Sequence, residues 1–147
     1  MHATNTRLLL ALFALLAGCR EHAHEEVAAP APSAAPANAV QNEMRLLTAA
    51  LQTALQGIGT GDVRGVPHAL HAVHAAKEAT GDAIAAGKYR LPKNPEGLSR
   101  FRELDEGFHH QLERLVDAST RNDVGASAEA FAGLLPSCVQ CHAEFRP

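Results

Sequence analysis

The chain carries Cys138-Val139-Gln140-Cys141-His142 in its final stretch. Two thiols two residues apart, followed at once by an imidazole, form the CxxCH pattern that in an exported protein attaches a c-type haem. Each S–H can add across a haem vinyl group, and the histidine reaches the iron as proximal ligand. A helix makes the spacing intelligible. At about 100° per residue Cys138 and Cys141 lie about 60° apart, and His142 falls on the same face. The other CxxC chemistries fit poorly. A structural zinc site needs two further Cys or His ligands at similar spacing, and the one remaining cysteine is Cys19. A thioredoxin-like pair opens a helix after a strand, and no strand pattern precedes Cys138.

Export is the condition this reading needs, and the first residues supply the expected signal. Arg7 precedes an apolar run from Leu8 to Leu16, followed by Ala17, Gly18 and Cys19. The run is too short to span a bilayer and reads as a cleaved signal peptide over residues 1–18. Leu16-Ala17-Gly18-Cys19 resembles the lipobox of bacterial lipoproteins, which implies cleavage before Cys19 and acylation of its thiol. With Cys19 lipidated and two cysteines on haem, all three cysteines are accounted for. Residues 19–38 are rich in Ala, Pro and Glu, with Pro30, Pro32 and Pro36 closely spaced, and read as a semi-extended tether. His22 and His24 within it read as solvated linker residues. The expected location is therefore the periplasm of a Gram-negative bacterium, lipid-anchored. Arg20 after Cys19 lacks the aspartate associated with inner-membrane retention, which by analogy favours the outer membrane.

Residues 39–147 are the size of one small domain. Aromatic residues make up only 4% of the chain, alanine is abundant and β-branched residues never cluster, so the domain should be all-helical. Met44, Leu47, Leu51, Ala54 and Ile58 mark an apolar stripe on a first helix that stops at Gly59-Thr60-Gly61. A second helix is expected from about Pro67 to Ala86, with Leu70, Val73, Ala76 or Lys77, Thr80 and Ile84 inward. Asn94 and Pro95 suit the cap and first turn of a third helix. That helix carries Leu98, Phe101, Leu104 or Asp105, Phe108, Leu112, Leu115 and Val116, and ends near Arg121. A fourth starts near Asn122 or Asp123, carries Ala128, Phe131, Leu134 and Leu135, and contains the haem motif. Pro136 inside it should loosen the helix just before Cys138. Four helices of this length with short connections suggest an antiparallel four-helix bundle.

A four-helix domain ending in CxxCH and a short tail, Cys138 to Arg146, resembles the cytochrome c-prime family. The likeness excludes the first 38 residues, and its one sharp motif is CxxCH. It implies one covalent haem c between the first and last helices, with His142 proximal. The sixth iron position then faces the first helix at Met44. A methionine there gives His/Met ligation suited to single-electron transfer with protein redox partners. An open sixth position would instead bind nitric oxide or carbon monoxide. The resemblance also assigns Arg146 to the neighbourhood of the proximal histidine or a haem propionate, and it leaves open a homodimer through the first two helices.

Histidine is otherwise plentiful. His68, His71 and His74 recur every three residues, but the outer two lie about 120° apart around a helix axis and cannot easily converge on one ion. They read as a solvated face, with a haem-free metal-binding lipoprotein as the rival. His109 follows Phe108 on an inward-looking face and is the alternative to Met44 as distal iron ligand. Asp105-Glu106 reads as solvated. No nucleophile stands beside a base in a recognisable motif, so catalysis is not expected. The net charge of −3, without a basic patch, argues against nucleic acid.

Overall fold

A computed structural model describes residues 38–146; the proposed signal peptide, Cys19 and the tether up to residue 37 lie outside the described residues. The domain consists of four α-helices: α1 (Ala39–Thr60), α2 (Val66–Ala85), α3 (Leu98–Thr120) and α4 (Val124–Phe145). No strand occurs among the described residues. None of these helices is long and apolar enough to cross a membrane.

Local sequence explains where each helix begins and ends. The Asn38 side chain accepts the Gln41 N–H at 2.9 Å and opens α1. Gly61, at φ 79°, closes it with the left-handed turn that a residue bearing a Cβ resists. Pro67 sits in the first turn of α2, where its missing N–H has no helical partner to lose. Asp123 caps α4 by accepting the Ala126 N–H at 2.9 Å. Pro136 lies inside α4 without ending it.

The third helix starts later than Asn94-Pro95 suggests. Asn94 adopts the left-handed conformation at φ 54°. Its carbonyl accepts the Gly97 N–H at 2.9 Å, which closes a turn, and the helix begins only at Leu98. Gly97 fits closely at that start: a Cβ there would stand 2.7 Å from Asn94 Nδ2 and 2.9 Å from the Phe145 ring, so one of them would have to shift.

The helices form a bundle in which α1 packs chiefly on α2, and α3 chiefly on α4. Lesser contacts join α1 to α4 and α2 to α3, whereas the backbones of α1 and α3 do not approach closely and stand diagonally opposed. At one end Asn122 Oδ1 accepts the Val63 N–H at 3.0 Å, so the α1–α2 and α3–α4 connections meet there. The core joins Leu47, Ala50, Ala54, Val63, Val66, Leu70, Val73, Phe108, Leu112, Leu115 and Leu134.

The buried line of α1 is Glu43, Leu47, Ala50, Ala54 and Gly57, rotated from the stripe of large side chains. Met44, Leu51 and Ile58 flank it, half-buried. Small residues at the contact allow close approach: a Cβ on Gly57 would stand 2.7 Å from the Asp62 carbonyl oxygen. On α2, Leu70, Val73, Ala76 and Thr80 point inward as expected. On α4, Leu134 is buried whereas Leu135 is 48% exposed, so only one of that pair belongs to the core.

Candidate functional site

The CxxCH segment lies wholly within α4. Leu134, Cys138, Cys141 and Phe145 follow one another at steps of four, three and four, which keeps them on one side of a helix. Leu134 and Phe145 are buried and the two cysteines between them are half-buried. Cys138 packs against the edge of the hydrophobic core. Both thiols are free. Burial pushes the Cys138 thiol up from its ordinary pKa. Burial does the same for Cys141, reinforced by the negative charges of Asp105 and Glu144 and by Cys138 itself. Both sulfurs are therefore protonated, neutral groups at pH 7. Tyr89, in the α2–α3 connection, is raised by burial and by its proximity to Cys141.

His142 is exposed, on the flank of the cysteine line. The same flank carries Leu135 and Val139, 48% and 69% exposed, which with Leu55 are the exposed large hydrophobic residues of the domain. Thus the last turns of α4 present two half-buried cysteines, an exposed imidazole and uncovered apolar surface beside it.

The end of α4 is held by several ties. Phe145 meets Phe101 edge to face, with ring centroids 5.5 Å apart. Lys93 Nζ donates to the Ala143 carbonyl oxygen at 2.6 Å. Arg100 bridges Glu103 at 2.9 Å and Glu144 at 3.5 Å, and these two carboxylates raise its pKa further. Arg146 is exposed, and its backbone N–H donates to the His142 carbonyl oxygen at 3.0 Å.

Met44 is half-buried and packs against the core, one residue from the fully buried Glu43. His109 does face inward, with only 11% of its side chain exposed, yet its neighbours are carboxylates. Its Nε2 lies 3.3 Å from Glu43 Oε1 and 3.5 Å from Asp105 Oδ1. Burial lowers the His109 pKa, but the hydrogen bonds to Asp105 and Glu43 outweigh it and the net shift is upward. Lys77 on α2 opposes that rise with its positive charge. Asp105, expected on a solvated face, is instead half-buried in this cluster, because α3 turns it toward the same side as Phe108 and His109. Glu43 carried no functional expectation at all. Two signals pointed to the cluster: a carboxylate four residues before Leu47 on an apolar stripe, and an Asp–His pair at i, i+4 on α3.

The α2 histidines behave as a solvated face should. His68, His71 and His74 are all exposed, and His74 approaches only Glu78, at 3.9 Å. His110 is likewise exposed beside Glu113.

Neither a family model, a curated protein nor a solved structure matches this chain.

Proposed function

We propose that this chain is a membrane-tethered periplasmic cytochrome of the c type: an antiparallel four-helix bundle similar to cytochrome c-prime that carries one covalent haem and transfers single electrons. The observation that carries the reading is the arrangement of α4. Two free thiols lie half-buried on one line, His142 is exposed beside them, and Leu135 and Val139 leave apolar surface uncovered on its flank. The antiparallel arrangement is supported by the Val63–Asn122 hydrogen bond between the two connections at one end.

The residues divide the work by their chemistry. Cys138 and Cys141 would hold the haem through thioether bonds, each formed by adding S–H across a vinyl group, so that no oxidant is consumed. His142 would be the proximal iron ligand, and Met44 the ligand opposite. Haem supplies one-electron iron redox chemistry when bound, and the chain tunes it through axial ligand and burial. Cys19 would carry the lipid that keeps the domain at the membrane, and protein redox partners would meet the domain there. The homodimer and the place of Arg146 near a propionate rest on the family likeness alone.

A specific observation favours a second reading. Met44 already packs against the core, as a methionine used for filling does. If it stays there, the iron keeps an open position and the protein binds nitric oxide or carbon monoxide. His109 is the weaker candidate for that position, since Glu43 and Asp105 occupy its Nε2.

The test is direct. The full chain, produced with a haem-ligation system, should stain for haem after denaturing electrophoresis, and unstained protein overturns the cytochrome reading. Ferric and ferrous absorption spectra with and without carbon monoxide then decide the sixth position. A low-spin spectrum that Met44→Leu converts to high-spin supports His/Met ligation, whereas a high-spin parent that binds carbon monoxide rapidly supports the open site.

A further inference from the structure

The cluster between α1 and α3 asks one ring nitrogen to serve two carboxylates. Glu43 is 2% exposed, yet it carries a carboxylate into the interior of the bundle. Its Oε1 and the Asp105 Oδ1 both address His109 Nε2, at 3.3 and 3.5 Å. A ring nitrogen has at most one hydrogen to give, so it cannot serve both carboxylates well. Both distances also exceed the roughly 2.7 to 2.9 Å of a charge-assisted bond. They match another arrangement. Ligand atoms held about 2.0 to 2.2 Å from one tetrahedral zinc ion stand about 3.3 to 3.6 Å from each other. The ligand atoms of Glu43, Asp105 and His109 all lie within 4.8 Å of one another.

We propose that Glu43, Asp105 and His109 form a three-ligand site for a first-row divalent cation such as zinc, with the fourth position open to water. The donor set of two carboxylates and one imidazole suits such an ion, and the two negative charges balance it. The backbones of the two helices stay apart, so the ion would brace the bundle across its diagonal. Bundle-core metal sites built from facing helices also draw carboxylates and histidines from helical pairs, there at i, i+3 where Asp105 and His109 stand at i, i+4. Lys77 opposes the ion, because its charge acts on His109 from α2. The site includes His109, the weaker candidate for the sixth iron position, but none of Cys138, Cys141, His142 or Met44, so it stands whether or not the chain stains for haem.

The experiment is equilibrium dialysis of the full chain against zinc chloride, with bound zinc counted by elemental analysis and thermal melting as a second readout. His68→Gln, His71→Gln and His74→Gln are combined first, to remove the exposed α2 histidines. In that background about one zinc per chain should remain and should raise the melting temperature. Glu43→Gln and His109→Gln should each weaken it at least about tenfold, and Lys77→Gln should tighten it several-fold. Should circular dichroism show His109→Gln to be unfolded, Asp105→Asn, at a more exposed ligand, replaces it with the same expectation. Zinc binding that survives Glu43→Gln unchanged, or that vanishes with the α2 histidines alone, overturns the proposal.

Discussion

The inner line of α4 and the polar cluster between α1 and α3 are adjacent, since the charge of Asp105 reaches Cys141, but they are built on opposite terms. The α4 line offers soft, neutral sulfurs, half-buried, whose burial costs little while they stay protonated. The cluster places hard carboxylate oxygens around one imidazole at the interior of the bundle. Desolvating such groups is expensive, and the cost is offset only while all three partners remain. The first region can wait for a ligand without strain on the fold. The second binds the fold's stability to its own completeness.

Perturbing each region should therefore give effects of different size. The largest is expected for His109→Leu, which leaves Glu43 and Asp105 facing each other without their shared partner. Urea denaturation should show a loss of about 3 to 5 kcal/mol, and a loss below about 1 would mean that the cluster is not stabilising as a unit. Leu134→Ala, at the fully buried foot of the cysteine line, should cost about 2 to 4 kcal/mol by the same measurement through the cavity it leaves. Asp123→Ala removes the cap of α4 and should cost about 1 kcal/mol, with faster amide hydrogen exchange confined to the first turn of that helix. The smallest effect belongs to Cys138→Ala in haem-free protein, less than about 1 kcal/mol, because a half-buried neutral thiol leaves little behind. A loss comparable to that of Leu134→Ala would erase the contrast between the two regions.

The two regions also differ in how openly the sequence displays them. CxxCH is written in five consecutive residues, so its chemistry and its helical phase need no knowledge of the other helices. Helix number, the Asp123 cap and the exposed α2 histidines are legible for the same reason: each depends on neighbours within one or two turns. The cluster depends on which side of α1 meets α3 across the bundle. Leu47 and Ala54 of the expected stripe are buried, but packing selected Ala50 and Gly57 in place of Met44, Leu51 and Ile58 and carried Glu43 inward with them. Small residues give a weak hydrophobic signal but permit close helix approach, so periodicity misplaced the face by part of a turn. Asp105 stood between two readings, an alternative to Leu104 on the inward stripe and half of an Asp–Glu pair that ordinarily marks solvent, and the half-buried position favours the first. The start of α3 was misplaced because Asn94 served the turn before it, and the Phe145 ring stands close to Gly97.

The packing of Phe145 against Phe101, close beside Gly97, docks the last turn of α4. Helical bundles dominated by local contacts fold in microseconds to milliseconds. Docking of the last turn of α4 is therefore fast, and it leaves both cysteines half-buried rather than sealed. Thiol chemistry can follow folding, and transient opening of that turn widens the access.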